Sequence, residues 1–115
     1  MKVMFYGVGE EPRIEEIDGS LESMQRLVGG YIEEFSLTDD LSVVCNEEGK
    51  LMGMSANRMV YKYGRRMELL VGNFFIAACG GEDFRGLTDD EIEEIKRFDV
   101  KNYDGVWLEK ITELW

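Results

Sequence analysis

Histidine is absent from this sequence of 115 residues. The nucleophile pairs in which a histidine activates a serine or a cysteine are therefore excluded, and so are metal sites with histidine ligands. Proline occurs only once, and 44% of the residues are hydrophobic. A chain of this length and composition is typical of one globular domain, and we predict a single domain over residues 1–115.

Cysteine is almost as scarce, since the sequence has only Cys45 and Cys79. Both stand in apolar stretches, which favours reduced thiols, and two cysteines are too few for a thiolate metal site. Long hydrophobic runs are also missing. The longest, residues 69–81, falls short of the roughly 18 apolar residues that a membrane span needs. We expect a cytoplasmic protein that has no signal peptide and binds no cofactor, metal or membrane.

Positive charge is the third scarcity, with 13 basic against 24 acidic residues and a net charge of −11. Such an acidic surface argues against direct binding of nucleic acid or of an anionic membrane. Acidic pairs are frequent, but adjacent carboxylates usually form solvated faces. Without a histidine or another credible nucleophile, we expect no catalytic residue and no enzymatic activity.

The pattern of apolar residues predicts an α+β fold with about six mostly antiparallel strands, as a small sheet or a partly open barrel, and two or three helices. Ser20 opens a helix that Gly29 ends, and Thr88 with Glu91 forms a capping box for a second helix. The strands are expected at residues 2–8, 13–17, 31–37, 41–45, 59–63 and 66–71, the last continuing to residues 74–79 after a break. Helical spacing of Trp107, Ile111, Leu114 and Trp115 predicts a third helix in the C-terminal extension, residues 99–115.

A hairpin with a type II′ turn at Gly64–Arg65 is expected between residues 59–63 and 66–71. This hairpin belongs to a strip that stands apart in charge, because residues 51–67 contain no acidic side chain. The rest of the chain holds eight basic and 24 acidic residues, a balance of −16. The basic residues of the strip are Lys50, Arg58, Lys62, Arg65 and Arg66.

The strip has two interpretations. Its basic side chains can pair with acidic neighbours, as in an ordinary hairpin. Alternatively, they form a cradle for a small anionic ligand, in which Arg58, Arg65 or Arg66 grips a phosphate and Tyr61 or Tyr63 stacks a base.

Several strings of the sequence are similar to a family that is catalogued as domain of unknown function 3846. The similarity covers residues 1–98. The matching strings are residues 11–12, 17–25, 28–33, 44–51, 71–76 and 87–89, together with Gly53 and Asn57–Arg58. The resemblance implies a protein of phages, mobile elements or Gram-positive gut bacteria. Some members of the family are associated with antirestriction functions. It implies no established activity. It adds the polar positions Tyr31, Asn46, Lys50, Asn57 and Arg58 as candidates, although a turn role also suits Asn46.

Two hypotheses follow. The first is a non-enzymatic binding protein that antagonises bacterial host defence by sequestering a small anionic nucleotide signal. The alternative is an acidic nucleic-acid mimic that inhibits a host DNA-binding nuclease through protein contact, in which case the partner is a host defence protein. A homo-oligomer also stays open, with Trp107 and Trp115 at its interface. The candidate ligand-binding residues are Asn57, Arg58, Tyr61, Lys62, Tyr63, Arg65, Arg66, Lys50, Asn46 and Tyr31.

Overall fold

The computed structural model describes residues 1–112, which form nine strands, two helices and one 3-10 turn at Arg97–Asp99. The helices are α1 (Leu21–Val28) and α2 (Asp89–Lys96). The strands in chain order are β1 (Lys2–Tyr6), β2 (Arg13–Glu16), β3 (Ile32–Ser36), β4 (Leu41–Asn46), β5 (Ala56–Lys62), β6 (Arg65–Val71), β7 (Phe74–Gly80), β8 (Asp83–Arg85) and β9 (Val106–Lys110).

The strands form two antiparallel sheets. The large sheet has the order β2-β1-β7-β4-β3, with β8 also paired to β7, and the small sheet has the order β6-β5-β9. The predicted α+β class is confirmed. The sheets do not close into a barrel, and nine strands replace the expected six.

The main core lies between the two sheets and is closed at one side by α2. Tyr6 and Phe74 of the large sheet share this cluster with Val60 and Leu108 of the small sheet and Ile95 of α2. A second cluster lies between the other face of the large sheet and α1. Across residues 1–112, no helix is both long and apolar enough to cross a bilayer.

Both predicted helix starts are confirmed by their caps. The Ser20 hydroxyl accepts a hydrogen bond from the backbone of Ser23, and α1 ends at Gly29, whose φ of 78° suits a residue without a side chain. Thr88 and Glu91 form the reciprocal capping box at the start of α2.

The predicted C-terminal helix is wrong. Residues 106–110 form strand β9, which pairs with β5 and places Trp107 opposite Tyr61. The Val-Trp-Leu sequence suits a strand, and pairing with β5 outweighs the helical spacing of Trp107 and Ile111. Leu114 and Trp115, which also supported the helix, lie outside the described residues.

Two turns also differ from the sequence prediction. The β5–β6 hairpin turns at Tyr63–Gly64, one residue earlier than expected, and both have positive φ angles of 52° and 79°. Positive φ at both central residues defines a type I′ turn. The predicted type II′ turn is therefore wrong. At Gly72, with φ of 70°, the chain leaves the small sheet and enters the large one, so residues 66–71 and 74–79 belong to different sheets.

Candidate ligand-binding cavity

The five basic residues of the strip do not converge on one point. Lys50 Nζ lies 2.6 Å from Glu68 Oε1, as expected for ordinary charge pairing. Lys62 Nζ donates to the Ser36 carbonyl at 2.6 Å and lies over the Phe35 ring. Arg65 and Arg66 are exposed at the tip of the hairpin, whereas Arg58 points into the interior. A single cradle made from all of these side chains is therefore absent from this conformation.

A β-bulge explains how Asn57 and Arg58 come to be buried. The sequence prediction began this strand at residue 59, but β5 begins at Ala56 and contains both residues. The register with β6 shifts between Ala56 and Arg58, so Asn57 is the extra residue of a bulge. Consecutive residues of a regular strand point to opposite faces, but here Asn57 is fully buried and Arg58 is only 3% exposed.

The Asn57 side chain joins three segments of the chain. Its Nδ2 donates to the Tyr6 carbonyl at 3.1 Å and to the Gly72 carbonyl at 2.8 Å. Its Oδ1 accepts from Arg58 Nη1 at 2.7 Å. These bonds connect β5 with β1 and with the turn between β6 and β7, and they hold Arg58 in place.

Arg58 is the one charged side chain that is buried within residues 1–112. Its Nη1 also donates to the Asn57 carbonyl at 3.2 Å, and its Nη2 donates to the Glu10 carbonyl at 2.9 Å. The guanidinium carbon lies 5.2 Å from the centre of the Tyr6 ring. Among residues 1–112, no carboxylate forms an ion pair with it, so neutral groups accept all of its hydrogen bonds there.

Arg58 keeps its charge and part of its hydrogen-bonding capacity. Desolvation lowers the pKa of its guanidinium, but an arginine side chain stays protonated in proteins. A guanidinium has five N–H donors. Only Nη1 and one hydrogen of Nη2 have partners within residues 1–112, which leaves the Nε hydrogen and the second Nη2 hydrogen unpaired.

Arg58 lines a cavity of about 480 Å³ between the two sheets, beside β9. The cavity has apolar walls at Pro12 and Leu108. Its lining contains three basic and three acidic side chains. The full lining comprises Tyr6, Glu11, Pro12, Arg58, Lys96, Asp99, Trp107, Leu108, Glu109 and Lys110.

Tyr6 contributes a second polar group to the cavity. Burial raises the pKa of its hydroxyl well above the usual 10, so the group stays protonated and can donate a hydrogen bond. Its oxygen has no hydrogen-bond partner among residues 1–112, while its ring stacks on Phe74 with centroids 4.6 Å apart. Tyr6 and Arg58 thus both line the cavity, and each has a donor without a partner among residues 1–112.

The predicted tyrosines occupy other positions. Tyr61 stacks on Trp107, with ring centroids 4.5 Å apart and an angle of 10°, and its hydroxyl donates to Glu109 at 3.1 Å. Tyr61 thus supports a residue of the cavity lining without lining the cavity itself. Tyr63 is exposed at the turn and, with Lys62, borders a separate, open cleft of about 520 Å³ that also contains Asp39 and Glu94.

The two remaining candidates lie elsewhere. Asn46 is buried, donates to the Val28 carbonyl at 3.2 Å and accepts from the Glu48 backbone at 2.7 Å, so it connects the end of α1 to the loop after β4. Tyr31 is exposed. Of the ten predicted residues, Arg58 alone lines the cavity, with Asn57 directly behind it.

Most of the cavity lining was missed by sequence reasoning. Tyr6, Pro12, Lys96 and Trp107 come from distant segments, and no local pattern joins them. Two signals in the sequence pointed to Arg58, the scarcity of acidic residues around it and the family resemblance, and neither pointed to these other lining residues.

Residues 1–98 match the sequence model of a protein family described as Domain of unknown function (DUF3846). No curated protein and no solved structure matches this chain.

Proposed function

The chain belongs to the DUF3846 family, and we propose that it binds a small organic anion in the cavity beside Arg58. The observation that carries this proposal is a buried arginine that has no carboxylate partner within residues 1–112 and keeps two donors free of them at the wall of a cavity. The bound ligand supplies the missing negative charge.

The energetic argument rests on desolvation. Moving a charged side chain out of water costs several kcal/mol, and native proteins usually recover this cost through an ion pair. At Arg58 the desolvation cost is offset by hydrogen bonds to carbonyl and amide oxygens and by contact with the Tyr6 ring. A carboxylate or phosphate in the cavity adds charge-assisted hydrogen bonds, which are about twice as strong as neutral ones.

Binding without catalysis is the better proposal for this cavity. Among residues 1–112, the lining offers three carboxylates and the Tyr6 hydroxyl but no thiol, imidazole or other hydroxyl side chain, so it holds no activated nucleophile. Burial raises the pKa of that hydroxyl, which makes it a poor nucleophile and base at neutral pH. A role in sequestering a host nucleotide signal, and the setting of a phage or mobile element, stay predictions.

Tryptophan fluorescence tests this proposal directly. Replacing Trp115 with Phe leaves Trp107 as the single tryptophan, and Trp107 lines the cavity. We expect benzoate, N-acetylphenylalanine or AMP to change the Trp107 emission in a saturable manner. Arg58→Lys, which keeps the charge but not the planar fork, should weaken binding, whereas the matched Arg65→Lys at the exposed tip should not. The proposal fails if no organic anion gives a saturable signal.

One observation favours the second candidate, an acidic inhibitor that mimics nucleic acid. No acidic side chain within residues 1–112 is buried, so the negative charge of the chain is displayed at its surface. Binding of such a protein to a nucleic-acid-binding enzyme should weaken steeply as salt rises. A pull-down from host lysate at low and moderate salt tests this candidate, and a complex that is insensitive to salt counts against it.

A further inference from the structure

A free backbone edge lies beside the cavity. In the antiparallel pair of β5 and β9, the Tyr63 amide donates to the Gly105 carbonyl at 2.9 Å and the Ile111 amide donates to the Asn57 carbonyl at 3.1 Å. Antiparallel strands exchange bonds at every second residue, so Trp107 and Glu109 also direct their backbone groups toward β5. The N–H and C=O groups of Leu108 and Lys110 consequently point away from β5.

These outward backbone groups are available to a ligand. Within residues 1–112, neither Leu108 nor Lys110 makes a backbone hydrogen bond outside the β5–β9 pair. Both residues line the cavity that contains Arg58. Lys110 is also the direct cross-strand partner of Arg58, and Cα atoms of a pair that exchanges no hydrogen bonds are about 4.5 Å apart. The Arg58 guanidinium and the free backbone edge of β9 therefore border the same cavity.

The charge balance of the lining limits the charge of the ligand. Its three basic side chains, Arg58, Lys96 and Lys110, are matched by three carboxylates, and Lys110 already pairs with Glu11 at 3.3 Å. A nucleoside polyphosphate would bring several negative charges close to the carboxylates of Asp99 and Glu109. A single negative charge matches the one buried guanidinium.

We infer that the ligand is an N-acylated amino acid unit with a free carboxylate and an apolar side chain, as a free molecule or as the last residue of a peptide. This inference rests on the proposed anion-binding function. Arg58 and the Tyr6 hydroxyl hold the carboxylate. The Leu108 or Lys110 backbone bonds the neighbouring amide, as in the addition of a strand to a sheet edge. Pro12 and Leu108 contact the side chain.

Titrations followed by ¹H–¹⁵N NMR test the inference, because they observe the Arg58 Nε–H and the backbone amides of β9 separately. The probes are N-acetyl-L-phenylalanine, its C-terminal amide, an acetylated tetrapeptide that ends in phenylalanine, AMP and ATP. We expect the first probe to shift the Arg58 Nε–H together with the Leu108 or Lys110 amide. Removing the carboxylate charge should weaken binding at least tenfold, because charge-assisted hydrogen bonds are lost. The relative affinities of the free amino acid and the tetrapeptide distinguish the two sources.

Proline substitutions on β9 test the role of the free edge. Lys110→Pro removes an outward N–H, which an edge strand tolerates, and should weaken binding about five- to tenfold relative to Lys110→Ala. The two variants share the loss of the Glu11 pair. Glu109→Pro removes an inward N–H and should instead disturb the pairing with β5, which the amide spectrum reports even in the absence of a ligand.

The outcomes separate the inference from the proposal on which it rests. Tighter binding of ATP or AMP than of the carboxylates, with a shift of Arg58 Nε–H, overturns the inference and keeps the anion site. Equal binding of the acid and its C-terminal amide also overturns it. So do equal affinities of the Lys110→Pro and Lys110→Ala variants when the ligand leaves the Leu108 amide unshifted. If none of the anions shifts Arg58 Nε–H, the proposed function fails as well.

Discussion

The base and the tip of the β5–β6 hairpin contain the same kind of side chain in opposite environments. At the base, Arg58 is 3% exposed and lies against the Tyr6 ring, between the two sheets. At the tip, Arg65 and Arg66 are exposed, and neither forms an ion pair with a residue of the described chain. In the sequence, the three arginines form one continuous basic strip. The comparison teaches that burial, and not sequence proximity, decides which of them can form a site.

The difference in energy between these environments is large. A cation at the tip stays hydrated and interacts weakly with its neighbours, as exposed charges generally do. The cation at the base has lost most of its water, so each remaining hydrogen bond is strengthened by the low local dielectric constant. Substitutions at the base should therefore have far larger effects than substitutions at the tip.

The largest effect is expected from Asn57→Ala. It removes both donors to the Tyr6 and Gly72 carbonyls and the acceptor for Arg58, and leaves these groups buried. We expect a loss of about 3 kcal/mol in the free energy of unfolding. Urea denaturation measures this loss. The control is Asn73→Ala, which removes the exposed hydrogen bond that the Val8 amide donates to Asn73 Oδ1 and should cost below about 1 kcal/mol. Equal losses at the two positions would contradict the structural role of Asn57.

The next effect compares the arginines directly. Arg58→Ala should lower the free energy of unfolding by about 2 kcal/mol, because the donors to the Glu10 carbonyl and to Asn57 disappear. Arg65→Ala and Arg66→Ala should each stay within about 0.5 kcal/mol of the parent protein. Urea denaturation of the three variants under one set of conditions makes the comparison. Three similar values would mean that the base of the hairpin is no more specialised than its tip.

The tip has a weakness of its own in the backbone. Tyr63 has a φ of 52°. Residues other than glycine, asparagine and aspartate adopt this backbone conformation at an energetic cost. Tyr63→Asn matches the residue preference of a type I′ turn and should stabilise the protein by about 1 kcal/mol. Thermal unfolding measures the gain. Gly64→Ala, at a φ of 79°, is the opposing control and should destabilise the protein.

Local signals in the sequence were sufficient to predict part of this molecule. The caps at Ser20 and Thr88 and the glycine at the end of α1 define both helices, because capping depends on residues within one turn of the helix. The α+β class follows from the same local patterns. The turn at Tyr63–Gly64 was missed by one residue, because glycine fits more than one position of a hairpin turn.

The remaining features depend on contacts between distant segments. The bulge at Asn57 exists only because β5 pairs with β6 in a shifted register, and nothing local to Asn57 predicts it. Likewise, residues 106–110 become a strand because β5 offers a free edge, although the spacing of Trp107 and Ile111 suits a helix. The cavity combines segments from both sheets and from the 3-10 turn, so the sequence predicted Arg58 without the groups around it.

Arg85 provides a third arginine environment, an exposed ion pair whose contribution to stability depends on pH. Arg85 is exposed like the arginines of the tip, but its Nη1 and Nη2 donate to Glu91 at 2.7 and 2.8 Å. These bonds from Arg85, together with hydrogen bonds from Thr88, lower the pKa of the Glu91 carboxyl from its usual 4.5 to about 2. Because the folded pKa is below the unfolded value, the contribution of Glu91 to stability is complete above about pH 4.5 and disappears as the pH falls through 2.

The Glu91→Gln variant isolates this contribution, since glutamine can also serve in a capping box but cannot ionise. We expect it to be less stable than the parent protein by at most about 1 kcal/mol at pH 6, and this difference should shrink below pH 4.5 and disappear as the pH falls through 2. The difference between the two proteins is the quantity to follow, because the pKa of Asp18 is also lowered to about 2 and contributes equally to both. Arg58 forms no ion pair within the described chain and only feels the Glu11 carboxylate across the cavity, so the loss of stability caused by Arg58→Ala should change less with pH than the loss caused by Glu91→Gln. A loss that falls with pH as much as that of Glu91→Gln would reveal an ion pair at the base of the hairpin and remove its contrast with Arg85.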